Sequence, residues 1–154
     1  MGDTRRTIMM LVDTREKKPW SMERPDYPVV VDSVPVAVEC ADYARCDRAV
    51  ERKSVDDMLK CLRRKKWQHF LPNARRAVNL YRRGYSIVIE GKLRDLRILA
   101  GNLRCKSPSW ADCRRKIAIL KQAGADVVFC PDRNAAELYA VGLLADETGW
   151  KPYE

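Results

Sequence analysis

Three side chains in the stretch CADYARCDRAVERKS, residues 40–54, could do chemistry together: Asp42, Glu51 and Lys53. We place a two-residue hairpin turn at 46–47, and counting outward from this turn sets Asp42 opposite Glu51. Directly opposed residues have Cβ atoms ~4.5–5.5 Å apart. Side chains alternate along a strand, so Glu51 and Lys53 share a face. The pattern therefore predicts that two carboxylates and an ammonium converge.

Two opposed carboxylates repel each other unless one is protonated or a cation lies between them. Hard divalent ions such as Mg²⁺ bind one or two carboxylates together with waters and substrate phosphates. An acid followed by Glu-x-Lys also has the spacing used for metal-assisted phosphodiester cleavage, in which the lysine orients a water or neutralises developing charge. The alternative is a solvent-exposed hairpin whose acids pair with arginines, and the triplet alone does not decide between the two.

Hydrophobic patterns predict the elements that would position these residues. Strands are predicted at 7–13, 29–40, 43–53 (as the hairpin), 85–90 and 125–130. Helices are predicted at 54–66, 70–83, 109–123 and 133–145, with Ser54 and Asp132 as N-caps. Residues 14–28 are predicted to be a loop, residues 91–109 are mixed and partly loop, and Pro35 favours an edge strand. The order predicts one α/β domain over 1–154, with a mixed central sheet flanked by helices.

Further carboxylates follow the ends of predicted strands. Asp13 and Glu16 close the first strand, and Glu90 ends YSIVIE. Sites in open α/β folds lie at such strand ends. Each acid alone would more often belong to a capped turn or a salt bridge, but together they favour an acidic metal site.

The formal net charge of +9 is concentrated in one block. Residues 60–83 contain nine basic side chains and no acid. A solvated basic face would explain such a block, but its size favours binding to a polyanion, most often nucleic acid. The candidate contact residues are Arg63, Arg64, Lys65, Lys66, Arg75 and Arg76. Trp67 could stack on a base, although packing is the simpler interpretation.

The sequence also predicts where the chain resides. No apolar run reaches the ~18–20 residues of a membrane span, and the first 13 residues do not have the pattern of a signal peptide. The six cysteines form no C-x-x-C and the chain has one histidine, so we expect reduced thiols rather than a zinc site. We expect a cytoplasmic protein, associated with the nucleoid in a prokaryote.

Four short motifs follow one another along the chain. They are VDTRE (12–16), ADY (41–43), ERKSVDD (51–57) and SIVIEG (86–91). They resemble V-D-x-R-E, G-D-Y, E-R-K-x3-D and I-x-I-V-E-G of the nuclease domain of XPF-type structure-specific endonucleases, a branch of the restriction-endonuclease-like PD-(D/E)xK fold. The likeness extends over roughly residues 8–147.

The resemblance implies a role for each matching residue. Asp42, Glu51 and Asp13 would be ligands of Mg²⁺ or Mn²⁺, with Glu16 in support, and Lys53 would be the catalytic lysine. Arg15 and Arg52 would position the site or the phosphate, and Asp57 would anchor the helix start. The implied protein is a metal-dependent DNA endonuclease that hydrolyses phosphodiester bonds, in branched or flap DNA during repair, recombination or replication. It would form a homodimer or heterodimer through this domain.

Two departures from the family pattern bear on these expectations. Ala41 replaces the family's glycine, and alanine does not readily adopt a positive φ. No helix-hairpin-helix or helicase domain is expected within 1–154, which weakens the expectation of branched DNA. The rival functions are a non-catalytic DNA-binding or dimerisation module, a homo-oligomeric interaction subunit that cuts nothing, and a ribonuclease that senses the 2′-OH.

Overall fold

The computed structural model describes residues 2, 4–102 and 108–146. Within these residues the chain forms six strands and five helices. In chain order they are β1 (Thr7–Asp13), β2 (Val30–Val36), β3 (Tyr43–Arg45), β4 (Arg48–Ser54), α1 (Val55–Cys61), α2 (Arg64–Leu80), β5 (Gly84–Glu90), α3 (Leu93–Gly101), α4 (Trp110–Gln122), β6 (Asp126–Cys130) and α5 (Arg133–Ala145). None of the described helices is long and apolar enough to cross a membrane.

The strands form one mixed sheet in the order β2-β1-β3-β4-β5-β6. β1 runs parallel to β2 and antiparallel to β3, whereas β4, β5 and β6 are mutually parallel. The antiparallel β3–β4 hairpin therefore joins two parallel blocks near the centre of the sheet. The predicted mixed sheet is confirmed, and β2 with Pro35 is an edge strand as predicted.

Two apolar cores lie on opposite faces of the sheet. We call the face covered by α1, α2, α3 and α4 the front face, where Met58, Phe70 and Leu120 share one apolar core with Ile87. The back face is covered by α5 and by residues 14–29, which we call the strap. Residues on one strand alternate between the two faces, so the front receives the side chains at 49, 51 and 53 of β4.

The strap is anchored to the back of the sheet by a few buried contacts. The Trp20 ring stacks on Tyr43 with 4.7 Å between centroids, and the Tyr43 hydroxyl accepts a hydrogen bond from the Trp20 backbone N–H at 2.9 Å. Glu137 of α5 is buried and accepts from Tyr27 OH and from the backbone N–H of Met22. These contacts hold a segment that has no regular secondary structure.

The hairpin turn falls at the predicted position. Cys46 and Asp47 have φ values of 50° and 61°, and two successive positive φ angles are characteristic of a two-residue type I′ turn. Arg45 pairs with Arg48, and Tyr43 pairs with Val50. The predicted register is therefore confirmed between Tyr43–Arg45 and 48–50, and the predicted Asp42–Glu51 pair lies one residue beyond the start of β3.

Asp47→Gly is expected to stabilise the fold by about 0.5–1 kcal/mol, because glycine adopts the positive φ of this turn at no steric cost. The Asp47 carbonyl, which accepts from the Arg83 N–H at 3.0 Å, is retained. Urea unfolding monitored by circular dichroism measures the change. Gly124→Ala is the matched control with the opposite sign, because Gly124 has a φ of 102° and an added Cβ would meet Val78 at 2.9 Å. A less stable Asp47→Gly variant would contradict the assignment of the turn.

Two predicted helix boundaries were wrong. The first helix ends at Cys61 rather than near residue 66, and the second spans Arg64–Leu80 rather than 70–83, with Pro72 inside it. The ammonium of Lys116 in α4 is buried and donates to the Leu62 carbonyl at 2.6 Å. This contact satisfies a carbonyl at the end of α1 and fixes the helix junction four residues before the predicted end.

Residues 91–109 contain a helix that was not predicted, α3. It begins where the Lys92 N–H donates to Asp95 Oδ2 at 2.9 Å. The predictions for α4 and α5 were closer: the Asp132 side chain caps α5 as predicted, and the Ser109 side chain caps α4, which was not predicted. The Ser54 hydroxyl likewise caps α1.

The five described cysteines form no disulfide with one another. Cys105 lies outside the described residues. Cys113 and Cys130 are fully buried in the two cores, where a thiol behaves as a small apolar group.

Candidate active site

The hairpin brings Asp42, Glu51 and Lys53 to one place. The Asp42 N–H donates to the Val50 carbonyl at 3.1 Å, and the Arg52 N–H donates to Asp42 Oδ2 at 2.8 Å. Asp42 therefore lies beside residues 50–52 of the neighbouring strand. Lys53 Nζ lies 3.0 Å from Glu51 Oε1 on the front face. Backbone pairing thus fixes the carboxylate of Asp42 against the strand that carries Glu51 and Lys53.

The two carboxylates are electrostatically coupled. Burial, followed by the neighbouring charge of Glu51, raises the pKa of Asp42 to about 7. Burial also raises the pKa of Glu51 against the opposing effect of Lys53. Each acid thus makes ionisation of the other more costly. A cation placed between them would remove this cost.

Lys53 is a fixed positive charge in the site. Its ammonium lies 5.7 Å from the centroid of the Phe70 ring in α2. Burial lowers the pKa of Lys53, but the Glu51 carboxylate more than offsets this, so the pKa is raised above its usual value. The lysine therefore stays protonated at neutral pH and can donate hydrogen bonds but cannot serve as a general base.

Asp13 occupies the adjacent strand, where its N–H donates to the Asp42 carbonyl at 2.7 Å. Arg15 Nε lies 3.2 and 3.0 Å from its two carboxylate oxygens, and the Val38 N–H donates to Oδ1 at 3.1 Å. The Asp13 side chain is only 6% exposed, whereas that of Arg15 is 71% exposed. A surface arginine therefore balances the buried charge of Asp13.

The donor set suits a hard divalent ion held by two carboxylates. Among the described residues, no three His, Cys, Asp or Glu side chains are grouped to hold one metal ion. Mg²⁺ commonly takes only one or two protein carboxylates and completes its shell with water and phosphate. Asp42 and Glu51, whose charges repel, fit that requirement. The ligand role of Asp13 stays a prediction.

Arg52 points to the back face and organises a second, buried charge cluster. Its guanidinium lies 3.4 Å from Glu16 Oε1 and 2.8 Å from Glu90 Oε1. All three side chains are less than 10% exposed. Arg133 of α5 adds a contact to Glu90 at 3.3 Å. The side chain of Arg52 is therefore engaged by acids, while its backbone N–H holds Asp42. Its predicted role in positioning the site or the phosphate stays a prediction.

Sequence reasoning placed Glu16 and Glu90 near the site but missed their common partner. The Arg52 cluster joins the strap, β4 and β5, whose residues are far apart in the chain. Arg133, the N-terminal residue of α5, gave no local signal of its contact with Glu90. The sequence indicated this cluster only through the acids Glu16 and Glu90 after two strands and through Arg52 between Glu51 and Lys53.

Alanine at position 41 introduces no backbone strain. The positive φ of this loop, 59°, belongs to Cys40, and Ala41 is not among the described residues with positive φ. Arg76 and Tyr81 at the end of α2 hold Glu39, the residue before Cys40, through an ion pair and a hydrogen bond to its carbonyl. Helix α2 therefore braces the loop that leads into Asp42.

The predicted DNA-contact residues separate into two groups. Four of them, with Lys60, line a cleft of about 560 Å³ at the α1–α2 junction, which we call the basic corner: Arg63, Arg64, Lys65 and Lys66. The first turn of α2 contains no acid. Arg75 is exposed further along α2, and Arg76 is paired with Glu39.

Asp57 has a simpler position. It lies in the first turn of α1, exposed to solvent, where its backbone N–H donates to Ser54 Oγ at 3.1 Å. A carboxylate in this turn interacts favourably with the helix dipole. Its predicted role in anchoring the helix start stays a prediction.

The mixed sheet flanked by helices is the restriction-endonuclease-like α/β architecture that the motifs indicate. Two solved structures of XPF from Aeropyrum pernix have this fold, with TM-scores of 0.63 and 0.60 and sequence identities of 21% and 22%. The second is a complex with DNA. The matches cover 90% and 89% of this chain but only 63% and 62% of the XPF chains. No protein-family model and no curated protein sequence matches the chain. The XPF-type fold predicted from the motifs is confirmed.

Proposed function

We propose that this chain is a Mg²⁺- or Mn²⁺-dependent DNA endonuclease that hydrolyses phosphodiester bonds. The observation that carries the proposal is the coupled carboxylate pair of Asp42 and Glu51, with the ammonium of Lys53 3.0 Å from Glu51. Two repelling acids beside a fixed positive charge suit metal-assisted attack on a phosphate. The XPF-type fold supports the same class of reaction.

Each residue has a defined task in this proposal. Asp42 and Glu51 would hold the ion, which when bound supplies an acidified water and stabilises negative charge on the phosphate. Lys53 neutralises charge that develops on the phosphate oxygens. The Arg52 N–H keeps Asp42 against β4. Phe70 beside Lys53 limits the water that would weaken its charge.

The basic corner supports nucleic acid as the substrate, because clustered cations without acids attract a phosphate backbone. That XPF from Aeropyrum pernix was solved with DNA supports DNA in particular. We propose branched or flap DNA as the preferred form, following the motif resemblance. Self-association through this domain belongs to the same proposal.

The test is cleavage of labelled flap, fork, duplex and single-stranded DNA, and of matched RNA, with Mg²⁺, Mn²⁺ or EDTA. We expect metal-dependent cleavage of DNA that is lost in Lys53→Met. Lys121→Met is the matched control, because Lys121 is exposed at the end of α4, and it should cut like the wild type. Tight DNA binding without cleavage under every condition would overturn the proposal.

A non-catalytic DNA-binding module is the second candidate, and one observation favours it. Arg15 and Lys53 balance the charges of Asp13 and Glu51, so part of the acidic set is neutral without any metal. Such a module would bind DNA equally well in EDTA and in Mn²⁺. The cleavage assay separates the two candidates.

Removing two cations from the basic corner is expected to weaken DNA binding. The double variant Arg63→Ala/Arg64→Ala should bind about tenfold more weakly at moderate salt, and the slope of log K against log salt should fall by roughly 1.8. Fluorescence anisotropy across a salt series measures both quantities. Arg94→Ala/Arg97→Ala, which removes two exposed arginines of α3, should leave the slope nearly unchanged. Equal effects of the two double variants would show that total charge, not the corner, binds DNA.

A further inference from the structure

Four buried side-chain polar atoms in the described part of the chain lack a hydrogen-bond partner: Trp20 Nε1, Arg48 Nε, Arg52 Nε and Tyr85 OH. The two arginines are paired through their other nitrogens. Trp20 packs in the back core. Tyr85 is the one of these four residues that lies in the front core. Its hydroxyl is the only polar atom of its side chain.

Tyr85 lies on the strand next to β4, on the same face of the sheet as Glu51 and Lys53. It occupies the start of β5 and pairs with Ala49 of β4 in the parallel register, while Glu51 pairs with Ile87. Because strand side chains alternate, Tyr85 is on the same face as Glu51 and Lys53. Its side chain is only 1% exposed, so its hydroxyl has no access to bulk solvent.

The two carboxylates of the site act on the Tyr85 hydroxyl. Burial raises the pKa of Tyr85 well above its usual value, and the charges of Glu51 and then Asp42 raise it further. The phenol therefore stays protonated and is available as a donor. The two carboxylates that act on it are hydrogen-bond acceptors, which Lys53 contacts at Glu51 Oε1 and the Arg52 N–H contacts at Asp42 Oδ2.

An unpaired buried hydroxyl destabilises the fold relative to a satisfied one, and phenylalanine would fill the same space without that cost. The hydroxyl would have a partner if it donated a hydrogen bond to these carboxylates when they hold a metal ion. We infer that Tyr85 is a positioning residue whose hydroxyl donates a hydrogen bond to the Asp42–Glu51 carboxylate pair, directly or through one water, when the pair holds a divalent cation. The inference rests on the proposed function.

The test compares Tyr85→Phe with the wild-type chain by calorimetric titration with Mn²⁺ in the absence of DNA. Loss of a hydrogen bond to a metal-ligating carboxylate typically costs 10–100-fold in metal affinity, so we expect an affinity at least tenfold lower. The thermal midpoint of the metal-free variant should equal or exceed that of the wild type, because the lost hydroxyl was unpaired. This combination distinguishes positioning of the cation site from a purely structural role.

Tyr27→Phe is the matched control, because the buried Tyr27 hydroxyl bonds Glu137 on the back face. It should lower the thermal midpoint and, when titrated well below that midpoint so that the strap stays closed, leave Mn²⁺ affinity unchanged. Unchanged Mn²⁺ affinity in Tyr85→Phe overturns this inference but leaves the proposed function untouched, whether or not stability changes. A wild-type chain that neither binds Mn²⁺ nor cleaves DNA overturns the proposed function, and the inference falls with it.

Discussion

Asp42→Asn is expected to abolish cleavage and at the same time make the metal-free chain more stable. Asparagine keeps the shape of the side chain and an oxygen that can accept from the Arg52 N–H, at the position where Asp42 Oδ2 accepts at 2.8 Å. It removes one of two charges that would hold the ion. We expect a cleavage rate lower by about 10³-fold, or about 4 kcal/mol of transition-state stabilisation.

The gain in stability follows from the raised pKa of Asp42. The folded chain holds the proton up to about pH 7, whereas the usual value is 3.8. The folded state therefore binds more protons between these limits, and the stability of the metal-free wild type falls as the pH rises from about 4 to about 7. Asp42→Asn should flatten this dependence and be more stable at pH 8 by roughly 2–4 kcal/mol.

Urea unfolding at pH 5 and pH 8 in EDTA, together with cleavage in Mn²⁺, measures both effects. Asp26→Asn is the matched control, since Asp26 is an exposed acid paired with Arg24 far from the site. It should change neither cleavage nor the pH dependence appreciably. If Asp42→Asn cuts DNA at the wild-type rate, or is less stable at pH 8, the carboxylate pair does not have the role assigned to it.

Arg52→Met is expected to have the largest effect on stability of any single substitution considered. Methionine retains most of the apolar stem but leaves Glu16 and Glu90 without their shared guanidinium. Both acids are less than 10% exposed. Removing one partner from a buried ionic group typically costs about 3–5 kcal/mol, because the remaining charge stays desolvated.

Urea unfolding gives the size of the loss, and two comparisons assign its cause. Arg133→Met removes a half-exposed partner of Glu90 and should cost less than about 1 kcal/mol. In a Glu16→Gln/Glu90→Gln background, Arg52→Met should cost much less than in the wild type, because no buried charge is left unpaired. An equal cost in both backgrounds would mean that packing, rather than the ionic cluster, accounts for the effect.

The parts of the fold that could be predicted from sequence are those set by local rules. The apolar run of β1 and the alternation within the hairpin are visible in the printed residues. The turn at Cys46 and Asp47 follows from the same pattern, and its position fixes the register that brings Asp42 beside β4. The core of the candidate site is therefore a local feature of about twelve residues.

The features that were missed depend on residues distant in the chain. The end of α1 is set by Lys116, which lies 54 positions after Leu62. The partners of Arg52 come from the strap and from β5, so the sequence motif around it gave no sign that its guanidinium is occupied. The unpaired hydroxyl of Tyr85 can be recognised only when the packing around it is known.

The strap makes the front of the molecule sensitive to events on its back. It carries Glu16 to Arg52, yet it is held by the stacking of Trp20 on Tyr43 and by the bonds to Glu137. A segment without regular secondary structure is a natural unit of local unfolding, which would open while the sheet stays intact. Such an opening would take Glu16 from Arg52 and so disturb the strand that bears Lys53. A compound that displaced Trp20 from Tyr43 would then disturb the surroundings of Asp42, Glu51 and Lys53 without contacting these residues.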